Sequence, residues 1–339
     1  MHNTTTRRKA IISGIGALIG VAGASAARAQ TPEFRIKFGT DAPESFPLVI
    51  YARQAAQQIA KETGGRMQIE IFPASQLGTS TDMLSQVRSG ALEMIGLQGA
   101  TLSTLVPVAA INAVGFAFSD YPTVWRAMDG DLGNLVRKSF APSGLQMPMR
   151  MWDSGFRLVF NKVRPVATPD DLKAMKIRVP VSPLWLSMFK GLGTSPVSIN
   201  VGELYSALQT GIADGCELPI SGFDSLKAYE VQKYCAVTNH IWDGYWPVFN
   251  ARTWSRIPAP MQEIVVKAFD AAGVEQRKYN EQLSTDLVAQ LQKKGVVFNR
   301  PPQEPFRQML AKAGFYEEWR QKFGPEAWAT LERYTGKLS

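Results

Sequence analysis

The chain has 339 residues, 45% of them hydrophobic and 19% charged, an ordinary globular composition with length enough for a large core and two domains. The formal charge of +8 shrinks once its placement is read: Arg7, Arg8, Lys9 and Arg28 lie in the first 29 residues, which hold no acid, and the remainder carries only +4. No basic block interleaved with aromatics remains, which argues against nucleic acid as a partner. Two cysteines, Cys216 and Cys235, are too few for a disulfide-dense scaffold or a cysteine-built metal site. Their spacing leaves open whether they pair or stay as buried thiols.

Residues 1–29 read as an export signal. A basic start leads into an apolar, glycine- and alanine-rich run over 10–24, and Ala27-Arg28-Ala29 is a small-x-small cleavage site. The run is too short and weak for a stable membrane span. The twin arginine after Thr6 resembles the signal of the twin-arginine pathway, the alternative being a general secretory signal that carries two arginines. Cleavage after about Ala29 predicts a periplasmic product beginning near Gln30.

Alternation over 34–40 predicts a first strand, followed by a loop at 41–47 and a helix over 48–63 closed by Gly64-Gly65. A strand at 67–72, a helix at 82–90 and a strand at 93–98 complete a β-α-β-α-β series, which implies a parallel sheet covered by helices. Ligands of such sheets lie at the carboxyl ends of strands, which makes Asp41 and Gln98 candidates. A strand over 146–152 leads to a crossover at 153–155. A second domain follows, with strands at 156–161, 175–180 and 212–218 and helices at 182–191 and 203–210. Residues 231–238 return as a strand, 239–244 form a second crossover, and 245–250 re-enter the first sheet. A helix from Pro258 through Leu291, roughly 45 Å long at 1.5 Å per residue, is long enough to brace both domains. A strand at 295–299 and helices at 304–313 and 325–334 finish the chain, which has no internal repeat.

Two arginines stand out. Arg157 in Gly155-Phe156-Arg157-Leu158-Val159-Phe160-Asn161 and Arg178 in Lys176-Ile177-Arg178-Val179-Pro180 each alternate with apolar residues, so each projects from the face opposite to its neighbours or into a cleft. Guanidinium is planar, always charged and forked to fit a carboxylate; the alternative is an arginine paired to a surface acid. Between them Thr168 and Asp171 have the spacing of a helix N-cap and its third residue. Glu217 is acidic beside the two arginines, placed either to anchor Arg178 or to meet a substrate ammonium or hydroxyl.

These segments resemble the substrate-binding proteins of the TRAP (tripartite ATP-independent periplasmic) transporters. Lys176-Ile177-Arg178 after a short Pro-Asp-Asp-Leu helix matches the strand whose arginine clamps a substrate carboxylate in that family. Residues 207–219, Ala-Leu-Gln-Thr-Gly-Ile-Ala-Asp-Gly-Cys-Glu-Leu-Pro, match the segment that lines the same pocket, with Leu218 where the family usually has asparagine. The resemblance covers nearly all of 34–339, including Leu105-Val106-Pro107 and Asp129-Gly130-Asp131-Leu132-Gly133; Gly115 replaces a usual proline. It implies a two-lobed α/β periplasmic binding-protein fold of two mixed or parallel sheets with hinge strands. Lobe I would be 31–153 with 244–283, and lobe II 154–243 with 284–339. It also implies that Val201, two residues before Glu203-Leu204-Tyr205, contacts ligand, and that the partners are an organic acid and a membrane permease of a small and a large subunit. With Val201 and Leu218 the pocket exchanges an amide for apolar wall, so a less hydroxylated substrate than a sugar acid is expected, since a polar group buried against leucine stays unpaired at a cost of about 1–3 kcal/mol.

Trp152, Trp185, Trp242, Tyr245 and Trp246 cluster near the crossovers. They form either hinge packing or an aromatic wall, carried mainly by Trp152 and Trp246, for an aromatic or branched acid. His240 is the single histidine after the signal, and no nucleophile elbow, phosphate-cradling loop or spaced metal-ligand cluster appears. The expectation is a binding protein with no cofactor, no metal and no catalytic residue. A sensor or another transporter's binding protein on the same fold, and a periplasmic enzyme, are the alternatives.

Overall fold

Strand β1 (Phe34–Thr40) buries Ile36 and Phe38 on one face and pairs in parallel with β2 (Met67–Phe72) and β3 (Met94–Gln98). This is the β-α-β-α-β unit that the sequence predicts, with helices Pro47–Glu62 and Ser80–Ser89 as its crossovers. The second helix starts with Thr79 and Asp82 in a reciprocal capping box and ends at Gly90, whose φ of 88° is the left-handed stop that glycine provides. The computed structural model describes residues 31–338; the export signal and its twin arginine lie outside the described residues.

The remaining strands are β4 (Leu145–Gln146), β5 (Trp152–Asn161), β6 (Lys176–Val179), β7 (Ser195–Ser198), β8 (Gly215–Pro219), β9 (Tyr234–Asn250) and β10 (Val297–Asn299). They extend the first unit into one mixed sheet ordered β2-β1-β3-β9-β5-β8-β6-β7, with β4 and β10 also pairing β9. The fold is α/β, as expected, but the pairing is continuous where two sheets are expected. The cause is β9, whose 17 residues cover the returning strand, the expected crossover at 239–244 and the re-entering strand without a break. It pairs β3 through 245–249 and β5 through 234–245. The other expected crossover, 153–155, is a bulge inside β5: the register shifts between Asp153 and Gly155, and Gly155 takes a φ of 112° that few other residues adopt.

Extended backbone persists at 153–155 because the buried polar groups of Asp153 find partners, one of them Trp242 in the middle of β9. Asp153 accepts from Trp242 Nε1 at 2.8 Å and from Asn280 Nδ2 at 2.6 Å, while Gln276 exchanges two hydrogen bonds with the Asp153 backbone. Arg277 donates to the Met151 carbonyl and forms a two-pronged pair with Asp129 at 2.8 and 2.9 Å. Gln276, Arg277 and Asn280 all belong to the helix Ala259–Lys293, 35 residues and about 52 Å long. Its first half (Met261, Val265, Ala268, Phe269) packs into the core beneath β1 and β2, and its second half (Leu287, Leu291) into the core beneath β8. The predicted brace thus serves two cores and pins the bulged strand between them.

Helices unread in the sequence cover 121–128, 131–139 and 315–323. The last is cut from its predecessor by Gly314 at a φ of 75°.

Close packing on the brace sets a testable cost. A Cβ added at Gly273 would stand 2.6 Å from Trp152 Nε1 and 2.8 Å from its Cδ1, and that ring is fully buried. Gly273→Ala is expected to destabilise the protein by about 1–3 kcal/mol despite alanine's better helix propensity, as read by urea unfolding; a stabilised variant would contradict this packing.

Cys216 and Cys235 are free and buried. Both oppose Phe160, one from β8 and one from β9 on either side of β5, so their Cα atoms are about 10 Å apart, beyond a disulfide's reach of about 7 Å. Burial pushes the Cys216 thiol up to about 12 and raises Cys235 well above its usual value. A thiol reagent without reductant should count two thiols in the unfolded protein and none at short times in the native one. One disulfide by mass would overturn this placement.

Candidate functional site

The carboxyl ends of β1, β3, β6, β7 and β8 converge on a cleft holding about 520 Å³ of atom-free space, part of it open to solvent. This is the place where open α/β sheets bind ligands. Asp41, Ala42, Pro43 and Phe46 enter from the end of β1, Gln98 and Thr101 from the end of β3. Arg178, Pro180 and Val181 enter from β6, Asn200 and Val201 from the turn after β7, and Leu218 and Pro219 from β8. The lining is mostly apolar with a few polar groups aimed inward, as in small-molecule sites.

Arg178 sits between Ile177 and Val179, which face the core, so the period of the strand turns its side chain to the cleft. It is 2% exposed. Its Nε and Nη2 donate to the Ile199 carbonyl at 2.9 and 2.6 Å, which fixes the guanidinium plane. Among the described residues no carboxylate comes within ion-pairing distance of it. Burial pulls its pKa down to about 10; the Glu217 charge opposes the shift from beyond ion-pairing distance, and Arg157 adds to it. A buried cation without a counter-ion in the wall of a cavity is costly unless an anion comes to it.

Arg157 is the opposite case. It opposes Pro219 across β5 and β8, so Glu217 is its diagonal neighbour. Glu217 takes Arg157 Nε and, at 2.7 Å, Nη2 in a forked ion pair, and its carbonyl accepts Nη2 at 3.1 Å. Both residues are at most 1% exposed. Burial alone would raise the Glu217 carboxyl; the Arg157 charge and hydrogen bonds outweigh it and hold the group down at about 2. His240, buried behind the pair, hydrogen-bonds Thr238 through Nδ1 at 2.7 Å and puts Nε2 3.5 Å from Glu217. Arg157 Nη1 is buried without a partner, and the residue lines the cleft. Glu217 therefore forms its ion pair with Arg157, not Arg178, and among the described residues Arg178 has no ion-pair partner.

Of the other candidates, Leu218 and Val201 stand in the cleft wall, and so do Asp41 and Gln98, the latter donating to Ser154 Oγ at 2.9 Å. Trp152 and Trp246 are not part of the lining: Trp152 is buried against Phe269 under the long helix, and Trp246 packs into the largest core. Successive residues of a strand face opposite sides, so on β9 it is Tyr245 that faces the cleft, with Phe46 edge-on at 5.6 Å. Trp185 lies beneath Arg157, its ring centre 5.7 Å from the guanidinium carbon. Asn200 and Val181 are wall residues not singled out in the sequence; Val181 sits just past β6, a strand that was expected, and Asn200 just past β7, which was not.

The family profile described as "Bacterial extracellular solute-binding protein, family 7" (DctP) matches residues 38–321. The chain is 30% identical over 261 residues to the 2,3-diketo-L-gulonate-binding periplasmic protein YiaO of Escherichia coli, covering 77% of this chain and 79% of that one. It superimposes with a TM-score of 0.85 on a TRAP periplasmic solute-binding protein from Polaromonas bound to D-erythronate, at 28% identity and covering 90% and 100% of the two chains. A Roseobacter denitrificans counterpart with bound β-D-glucuronate gives a TM-score of 0.84 at 27% identity, covering 89% and 99%. The first is named for a carboxylic acid and the other two hold one, and the family is one of solute-binding proteins. With a profile match across most of its length and a relative 30% identical over 77% of the chain, the chain belongs to family 7 of the bacterial extracellular solute-binding proteins, those of the TRAP transporters.

Proposed function

We propose that this protein captures an organic acid anion in the periplasm, holds its carboxylate on Arg178, and delivers it to a membrane permease of a small and a large subunit. The observation that carries the reading is the buried, ion-pair-free Arg178 in the cleft wall, whose planar fork suits a carboxylate. Arg157, neutralised by Glu217, adds its unpartnered Nη1 and a second, weaker attraction. Two lobes, 31–153 with 244–283 and 154–243 with 284–339, close on the ligand about the bulge at Gly155 and the middle of β9, the long helix bridging them. Val181, Val201 and Leu218 line the cleft with aliphatic groups where a heavily hydroxylated acid would need partners, so the account favours a ligand with few hydroxyls. Residues 1–29 direct export.

The test is a thermal-shift screen of the protein from Gln30 against 2-oxo, hydroxy, aromatic, dicarboxylic and sugar acids, after unfolding and refolding to release copurified ligand. A carboxylate at 100 times its dissociation constant should add about 2.7 kcal/mol of stability. Stabilisation by uncharged sugars or amides, with no acid active, would contradict the reading.

A further inference from the structure

Asp41 is the acidic side chain of the cleft, beside the two arginines. It stands at the carboxyl end of β1, from the half of the sheet opposite to Arg178. Its Oδ2 accepts from Ser80 Oγ at 2.5 Å, whereas its Oδ1 is buried without a hydrogen-bond partner. No cation lies within ion-pairing distance of Asp41 among the described residues; Arg178 and Arg157 attract it only from further away. With Arg157 balanced by Glu217, the cleft presents one unpaired guanidinium and one half-satisfied carboxylate.

We infer that Asp41 is the specificity-determining residue of the cleft: it selects monocarboxylates that carry a hydrogen-bond donor, a hydroxyl or an ammonium, at the end remote from the carboxylate, and rejects dicarboxylates. The inference rests on the Arg178 reading, since the ligand's carboxylate must first be placed there. A donor at the far end fills the free lone pairs of Oδ1, a charge-assisted contact of the strong kind. A methyl group there leaves a buried carboxylate oxygen unpaired, and a second carboxylate sets two like charges together in a space with little water. Burial raises the pKa of Asp41, the mark of a charge short of solvation that a ligand's donor would relieve. A site built to hydrogen-bond one group discriminates far more strongly against its absence than an apolar pocket does against an extra methylene.

The experiment is titration calorimetry with size-matched sets: 4-hydroxybutanoate, 4-aminobutanoate, butanoate and succinate; 4-hydroxybenzoate, 4-aminomethylbenzoate, 4-methylbenzoate and terephthalate; gluconate and glucarate. In the set that binds, a donor-bearing acid should bind about a hundredfold tighter than its diacid partner, and the tighter of hydroxyl and ammonium names the donor. Asp41→Asn should narrow the gap to about tenfold or less, because the amide donates as well as accepts and carries no charge. A wild-type protein that takes the diacid as tightly overturns the inference, as does an unchanged ratio in Asp41→Asn. The wild-type ratio stands by itself if that variant does not fold. Arg178→Ala separates the two readings: loss of all acid binding together with wild-type acceptance of diacids sinks only the Asp41 role, and acid binding that survives Arg178→Ala sinks the clamp. Failure of every set to bind to ligand-free protein contradicts both.

Discussion

Arg178→Ala should weaken binding of the acid ligand by about a hundredfold or more while leaving the empty protein at least as stable as the parent. Truncating one partner of a buried, hydrogen-bonded charge pair costs about 2–5 kcal/mol of affinity, and tenfold corresponds to about 1.4 kcal/mol. In the empty protein the guanidinium is 2% exposed, its one hydrogen-bond partner among the described residues is the Ile199 carbonyl, and burial, which pulls its pKa down to about 10, works against its charge. Removing it therefore removes a desolvation cost along with two hydrogen bonds. Arg178→Lys keeps the charge but loses the fork, and should recover only part of the affinity. Calorimetry and denaturant unfolding on the three proteins check both halves. A variant that loses affinity and folding stability together would mark Arg178 as a structural residue instead.

The second large effect is on stability and comes from the residue beside it. Glu217→Gln leaves Arg157 buried without its counter-ion, and breaking such a pair costs about 3–5 kcal/mol. A loss of roughly 10 °C in the unfolding midpoint follows for a chain of this size. Replacing Arg157 and Glu217 together with leucine should restore most of the loss, since a buried pair is worth little against packed apolar groups. The effect has a definite pH dependence. Glu217 titrates at about 2 in the folded protein, below the ordinary glutamate value of 4.5. Its contribution is therefore fully present above about pH 4.5 and is lost as the pH falls toward 2. The stability difference between wild type and Glu217→Gln should shrink over that window; a difference that holds constant down to pH 2 would show that the pair is not ionic.

The contrast between the two arginines was only partly legible in the sequence. Strand periodicity turned both away from their apolar neighbours, either onto the opposite face or into a cleft, and the family resemblance marked Arg178 as the clamp. Which one would be free was hidden, because Glu217 is 60 residues from Arg157 and 39 from Arg178, and only the pairing of β5 with β8 decides between them. The aromatic wall failed for a local reason. Trp246 and Tyr245 are adjacent, a single step of the strand register chooses which faces the ligand, and pairing with Gln98 and Leu97 of β3 chooses Tyr245. The crossovers read as loops since Asp153-Ser154-Gly155 and Asp243-Gly244 carry turn residues. The first stays in a strand because Gln276 and Asn280, more than 120 residues away, satisfy Asp153; in the second, Asn112 donates to Asp243 from 131 residues away. Strand β7 escaped notice because Ser195-Pro196-Val197-Ser198 is short and contains a proline, tolerable here at the sheet's edge. Elements set by their own periodicity, such as β1, β2 and the long helix, were read nearly to the residue; contacts set by long-range pairing were not.

A crystal structure of the protein with the acid identified by the screen would show whether the ligand's carboxylate sits on Arg178. A carboxylate oxygen is expected within about 3 Å of an Arg178 guanidinium nitrogen, with Glu217 still bound to Arg157. A ligand whose carboxylate lies elsewhere in the cleft, with Arg178 still held only by the Ile199 carbonyl, would contradict it.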